Sequence, residues 1–234
     1  MSALLPWRAV DAHDRRAVRR AAEEDGALCL RGLLPLDLVE ALAVDVDGWV
    51  QELGWVDAAG GPQVPTPAYD APDFVRLQQW AFVADTFDAL RRHADLLRVL
   101  GWLVGGPVTA GRGDLVRVGC AGDPPRGTPP HQDAFYVQGE PVLWTAWTPL
   151  LPMPVDLGPV AVWAGSHRLG TLDHQGEGVG TQGVEVPADV RWTGSDLAPG
   201  DVVLFEGRTV HRTLPHAMPG VLRRSADFRY VPRR

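Results

Sequence analysis

A change of texture near residue 105 constrains this chain more than any other feature. Beyond Gly105 the sequence breaks into short apolar runs: Leu115–Val118, Phe135–Val137, Val142–Thr148, Val160–Trp163, Val184–Val186, Val202–Phe205 and Ser225–Val231. Clusters of Gly, Pro and Asp separate them, and the chain holds 26 Gly and 21 Pro, enough for many tight turns. Short apolar runs bounded by turn residues read as β-strands. Strands this short cannot bury their apolar faces singly, so they must stack into two layers. The expected fold is mostly β with flanking helices, on a double-stranded β-helix (jelly-roll, cupin-like) core.

The first hundred residues read differently. Arg15–Glu24 is rich in Ala, Arg and Glu and is expected to be helical, stopping at Gly26. Ala27–Arg31 suits a short strand, and Pro35 opens a second helix whose buried face is set by Leu38, Leu42, Val46 and Trp49. Residues 58–72 carry four Pro and two Gly and read as a loop, a candidate lid. A third helix is expected from Thr86 to Leu100, burying Phe87, Leu90, Leu97 and Leu100 and ending at Gly101. No polar linker lies near residue 105. The expectation is therefore one domain over 1–234, with 1–105 as mainly helical support and 106–234 as the jelly-roll core.

Charge and cysteine usage exclude several functions. The net charge of −7 gives no basic footprint for nucleic acid or an anionic membrane. No run reaches membrane-spanning length and Met1–Val10 has no apolar leader core, so a cytoplasmic protein is expected. Cys29 and Cys120 alone make neither a disulfide framework nor a cysteine zinc site. A small-molecule substrate is the partner class left. Nothing in the sequence sets an oligomeric state.

The strongest chemical signal is Pro129-Pro130-His131-Gln132-Asp133. Residues i and i+2 of an extended chain face one side, so His131 and Asp133 would present an imidazole and a carboxylate to one point. A second histidine would complete the two-His-one-carboxylate triad that holds non-haem Fe(II). His211 is the best candidate, because it follows the turn and buried strand Gly200–Phe205. His216 competes for this role but lies farther from that strand. Among seven histidines a lone His-x-Asp triplet is weak, its plain alternative being a surface histidine beside a solvated aspartate.

Five separated blocks raise its weight. His131-Gln132-Asp133 with Tyr136, Ala146-Trp147-Thr148, Gly158 through His167, Gly200-Asp201-Val202-Val203, and His211 with Arg223 downstream together resemble the phytanoyl-CoA dioxygenase family of Fe(II)/2-oxoglutarate oxygenases. The opening Asp25-Gly26-Ala27-Leu28 and Arg31–Pro35 is similar to the family's first helix, strand and helix. The resemblance implies that His131, Asp133 and His211 ligate Fe(II), that 2-oxoglutarate and O2 take the remaining positions, and that 2-oxoglutarate is decarboxylated to succinate. Related halogenases lack the carboxylate. Its presence as Asp133 implies hydroxylation, or desaturation or ring closure.

In this family an arginine about a dozen residues past the distal histidine holds the far carboxylate of 2-oxoglutarate, which suits a planar guanidinium fork. Arg223, sharing a strand face with Ser225, is favoured; a slip of one residue would substitute Arg224. Thr213 matches a cosubstrate-contacting hydroxyl. Trp147 reads equally as an indole beside 2-oxoglutarate or as a core aromatic. Arg117 is a candidate cosubstrate contact or, more commonly for such a residue, an exposed strand arginine. Phe135 and Tyr136 are the substrate-contact candidates, and residues 58–72 and 134–141 the segments expected to shape specificity. The resemblance makes the Gly165-Ser166-His167 turn structural. His174 and His216 read as solvated loop residues, and the Arg15, Arg16, Arg19, Arg20 run as a solvated helix face. Two other functions compete: a cupin-like metal enzyme, oxygenase or isomerase, working without 2-oxoglutarate, and a non-catalytic small-molecule-binding jelly roll.

Overall fold

The structure, a computed structural model, describes residues 4–63, 68–121, 128–140, 142–177 and 180–233. Residues 64–67 of the expected lid and residue 141 of the second specificity segment lie outside it. Helix α1 (Arg15–Asp25) begins where the Asp14 side chain accepts hydrogen bonds from the backbone N–H groups of Arg16 and Ala17. It stops at Gly26, whose φ of 69° suits glycine and whose N–H donates to Ala22 O. The chain then enters β1 (Ala27–Leu30) and, past Pro35, α2 (Leu36–Glu52). The buried face of α2 is Val39, Leu42, Val46 and Val50; the expected Leu38 and Trp49 flank it and are only partly buried.

The third helical region differs from expectation. α3 (Pro72–Val83) begins at a proline in the first turn, a start signal that the loop reading of 58–72 passed over. The single helix expected over Thr86–Leu100 is two, α4 (Asp85–Arg91) and α5 (Ala94–Val104), because His93 is extended at φ −56° and ψ 131°. Gly101 does not end α5. It sits inside the helix, where a Cβ would come within 3.1 Å of Gly106 O, and the left-handed stop is Gly105.

The strands are β2 (Val108–Ala110), β3 (Leu115–Gly119), β4 (Trp144–Pro149), β5 (Val160–Val162), β6 (Val202–Glu206), β7 (His211–Thr213) and β8 (Arg223–Pro232). The larger sheet runs β1-β6-β4-β8-β2, with β3 also on β8, and every pairing is antiparallel. A smaller sheet pairs β5 with β7, widened by single bridges from Thr193 to Val162 and from His131 to His211. Together they form the jelly-roll core. Two expected strands are absent. Residues 133–136 form the short helix α6, and Val184–Val186 stays irregular, its Val184 N–H donating to Pro130 O. The strands β2 and β7 were not foreseen, being three residues each.

Alternation along the strands sorts side chains into two interiors. Outward, Leu28, Leu30, Val116, Val118, Ala146, Val202, Leu204, Phe228 and Tyr230 pack under α1–α5 in one apolar cluster. Inward, Ala27, Cys29, Trp147, Val203 and Phe205 meet Val160 and Val162 of the smaller sheet.

The α1–β1 junction tests this packing. A Cβ on Gly26 would penetrate the His167 ring and lie 2.6 Å from Thr209 Oγ1. Left-handed strain and overpacking add, so Gly26→Ala should lower unfolding stability by about 3 kcal/mol in urea titration.

Candidate metal centre

Backbone pairing brings the two imidazoles together. His131 N–H donates to His211 O at 2.9 Å and His211 N–H donates to His131 O at 3.0 Å. Residues directly opposed in an antiparallel pair project to the same side, and the ring centroids lie 4.1 Å apart. Each ring is oriented from behind. His131 Nδ1 is 2.8 Å from Pro129 O and His211 Nδ1 is 3.0 Å from Thr209 O. A carbonyl can only accept, so both Nδ1 atoms carry the proton and both Nε2 lone pairs face forward.

Asp133 joins them because Gln132 is extended, at φ −119° and ψ 128°, although the chain turns into α6 immediately afterwards rather than continuing as a strand. Fully buried Gln132 anchors the turn: its Nε2 donates to Gly170 O and Arg208 O, its Oε1 accepts from Leu172 N, and its N–H donates to His174 Nε2. Asp133 Oδ1 thereby lies 3.6 Å from His131 Nε2 and 3.7 Å from His211 Nε2. All three ligand atoms fall within 4.8 Å of one another. A divalent ion with bonds of ~2.1 Å would draw cis ligands to ~3.0–3.4 Å, so the two carboxylate–imidazole distances would close by only a few tenths of an ångström. All three residues are buried, and burial bears on the protonation of His211 and Asp133. Burial pushes His211 down to about 3, with the adjacent His131 imidazole adding to the effect. Burial would raise Asp133, but Arg229 and the imidazoles hold its carboxyl well below the usual range. A neutral imidazole and an ionised carboxylate are what a metal needs.

The inner face of β8 supplies further polar groups. Arg223, Ser225, Asp227 and Arg229 alternate along it, all buried. Arg224 points the other way, into an ion pair with Asp47. Arg223 Nε donates to Gly158 O at 2.7 Å, and its guanidinium lies 5.6 Å from the Trp147 ring. Among the described residues, Arg223 Nη2 and Ser225 Oγ find no partner. Buried polar atoms are rarely left so, and a cation with a hydroxyl two residues on fits an added carboxylate. Burial lowers Arg223 to about 10, the mark of a cation short of a counter-charge.

The remaining candidates are placed as follows. Thr213 lies two residues past His211 on β7, 3.5 Å from the Thr128 hydroxyl. Tyr136 sets its ring edge-on to His131 at 5.5 Å and donates to Gln182 O. Phe135 stacks on His174 instead, at 4.1 Å. Three surface readings are corrected. Arg117 is not exposed: it stands opposite Ser225 and bonds Asp227 and the Tyr69 hydroxyl. His174 is buried, its Nδ1 donating to Leu172 O. His216 is half-buried, with Nε2 2.9 Å from Val221 O. Ser166 explains its turn: its hydroxyl donates to Trp163 O and accepts from Val210 N–H, fixing the approach to His211.

Sequence reasoning missed Arg229, Thr145, Asp227 and Tyr69. Arg229 Nε and Nη2 grip Asp133 at 3.1 and 3.2 Å, and the Thr145 hydroxyl donates to Asp133 Oδ2 at 2.6 Å. A signal existed. Polar or charged residues at every second position, Arg223, Ser225, Asp227 and Arg229, alternating with Ala226, Phe228 and Tyr230, mark a polar interior face.

Comparison with known proteins gives a consistent answer. The profile of the Phytanoyl-CoA dioxygenase (PhyH) family matches residues 22–225. The 1-deoxypentalenic acid 11-beta-hydroxylase of Streptomyces exfoliatus is 32% identical, over 94% of this chain and 82% of the relative; its counterpart from Streptomyces arenae gives the same figures. Among solved structures, the epimerase SnoN in complex with Fe3+, alpha ketoglutarate and nogalamycin RO superposes with a TM-score of 0.70 at 21% identity, covering 95% of this chain and 85% of SnoN. The carbocyclase SnoK gives 0.67 at 21%, covering 96% and 87%. No helix among the described residues is long and apolar enough to cross a membrane.

Burial of His211 has a pH consequence. An unfolded histidine binds a proton below pH ~6.5, whereas the folded residue resists until about pH 3. Stability is therefore full above ~6.5 and falls as pH drops. Between pH 7 and 5 the metal-free protein should lose about 2 kcal/mol from this residue in urea unfolding, and His211→Gln should remove that part of the slope.

Proposed function

This chain belongs to the phytanoyl-CoA dioxygenase family and is a non-haem iron, 2-oxoglutarate-dependent oxygenase, and on that premise we propose that His131, Asp133 and His211 hold Fe(II) and that Arg223 and Ser225 hold the distal carboxylate of 2-oxoglutarate. The observation that carries this reading is the pairing of two incomplete groups in one interior. Three buried donors converge with their free lone pairs inward, and on the inner face of β8 Arg223 Nη2 and Ser225 Oγ stand without partners among the described residues. The second group argues against a cupin-like enzyme working without 2-oxoglutarate, which has no use for it.

When iron, 2-oxoglutarate and O2 are bound together they supply the oxidation: 2-oxoglutarate loses CO2 to become succinate, which takes one oxygen atom, and the other goes to the substrate. The protein's own work is orientation. The Nδ1–H bonds to Pro129 O and Thr209 O hold both imidazoles as ligands. Gly158 O aims Arg223, and Trp147 gives an apolar wall beside it. Arg117 stands opposite Ser225, where it supports the anionic cosubstrate, and Thr213, two residues past His211 on β7, adds a hydroxyl. Phe205 packs at 4.2 Å against His211 and helps keep water away.

The substrate is a small organic molecule that the enzyme hydroxylates, as the Streptomyces relatives are 1-deoxypentalenic acid 11-beta-hydroxylases. Tyr136, beside His131, faces it most closely, with Phe135 behind. The whole span 1–234 acts as one oxygenase domain, since a single apolar cluster joins α1–α5 to the larger sheet.

Anaerobic titration of the protein with Fe(II) and 2-oxoglutarate should produce the visible charge-transfer band of the chelate. His131→Ala and His211→Ala should abolish both band and turnover. Losing charge-assisted hydrogen bonds worth ~1.5–3 kcal/mol, Arg223→Ala should raise the KM for 2-oxoglutarate by about 10- to 100-fold. Wild-type turnover unaffected by omitting 2-oxoglutarate would overturn the cosubstrate assignment.

A further inference from the structure

We propose that Arg229 is a positioning residue that restricts Asp133 to a single metal-facing oxygen; the inference rests on the metal-site reading above and concerns how that site is shaped. An ionised carboxylate has four lone-pair directions, two on each oxygen. On Asp133, Oδ2 accepts from the Thr145 hydroxyl at 2.6 Å and from Arg229 Nε at 3.1 Å, so it is saturated. Oδ1 accepts from Arg229 Nη2 at 3.2 Å, which leaves it one direction. That oxygen is the one lying 3.6 and 3.7 Å from the two histidine Nε2 atoms. Three protein donors thus leave one place for a metal, and bidentate binding by Asp133 is blocked.

The restriction matters for the chemistry of an oxygenase site. A carboxylate that chelated through both oxygens would take up a position needed by the cosubstrate or by oxygen. Arg229 itself is held on several sides. Its Nη1 donates to Gly113 O, its backbone N–H donates to Asp114 Oδ1 at 2.7 Å, and Asp227 Oδ2 lies 3.8 Å from Nη2. Asp227 is in turn gripped by Arg117. The fork cannot follow Asp133 if the carboxylate rotates, so it holds one orientation. It also neutralises the aspartate, so a divalent ion bound here keeps more of its charge for an anionic chelator.

Co(II), whose visible d–d bands report coordination, is the probe. Arg229→Gln should fold, as judged by far-UV circular dichroism, and change Co(II) affinity by about 10-fold or more, with a weaker d–d absorption as the freed second oxygen of Asp133 raises the coordination number. Arg229→Lys, which keeps the charge but not the fork, should be intermediate. Should Arg229→Gln not fold, Thr145→Val removes the other Oδ2 donor and should shift the same two readouts in the same direction. Variants that lose thermal stability yet keep wild-type Co(II) affinity and spectrum would overturn the proposal and leave Arg229 a structural ion pair. Wild-type protein that binds no Co(II) would instead overturn the metal-site reading, and this proposal with it.

Discussion

An ionised side chain removed from water must meet its opposite, and this requirement organises the interior of the protein. The inner face of β8 carries Arg223, Asp227 and Arg229, and neighbouring elements add Arg117 and Asp133, all withdrawn from solvent to within a few per cent of exposure or little more. Isolated, each would cost several kcal/mol. They are tolerable because their signs alternate in space: Arg117 with Asp227, Asp227 near Arg229, Arg229 with Asp133. Beside this series two groups are incomplete. Asp133 faces two imidazoles, and Arg223 keeps its Nη2 without a partner among the described residues. Those are the places where a cation and an anion fit.

The larger sheet makes such an interior possible by separating two tasks. Its outer face is apolar and lies under five helices, which supplies the hydrophobic burial that holds the domain together. The inner face is relieved of that duty and can hold charge. Strand alternation enforces the separation residue by residue, so Phe228 and Tyr230 support the fold while Asp227 and Arg229, one position away, serve the site. Groups carried on sheet backbone are held more rigidly than groups on loops, which suits ligands that must meet a metal within tenths of an ångström.

The sequence revealed the frame better than the fittings. Arg15–Glu24 was readable from its helix-forming composition and the glycine stop after it, and Val202–Phe205 as an unbroken apolar run opened by the Gly200-Asp201 turn. Phe135–Val137 and Val184–Val186 were not. Runs of three apolar residues have no period, and tertiary bonds decided them: Ala134 N–H to Gly207 O in one case, Val184 N–H to Pro130 O in the other. The triad could be sought in the sequence because His-x-Asp and a strand-end histidine leave a local trace. Arg229 leaves none by itself. Its meaning comes from a partner 96 residues away, and only the alternation of charge along β8 hinted at it. His174 misled for the same reason, since a loop histidine looks solvated until Gln132 is seen to need its lone pair.

The bridge between His131 and His211 joins segments eighty positions apart with one reciprocal pair of amide bonds, beside a smaller sheet of only two named strands. Such a seam is a weak line of closure, because much chain is gathered for little backbone pairing. An ion clasped by both side chains would act as a rivet across it. Enzyme stripped of its ion would then lose more than a reagent: the layer carrying β7 would be freer to breathe, and a protease or chelator would find its first purchase there.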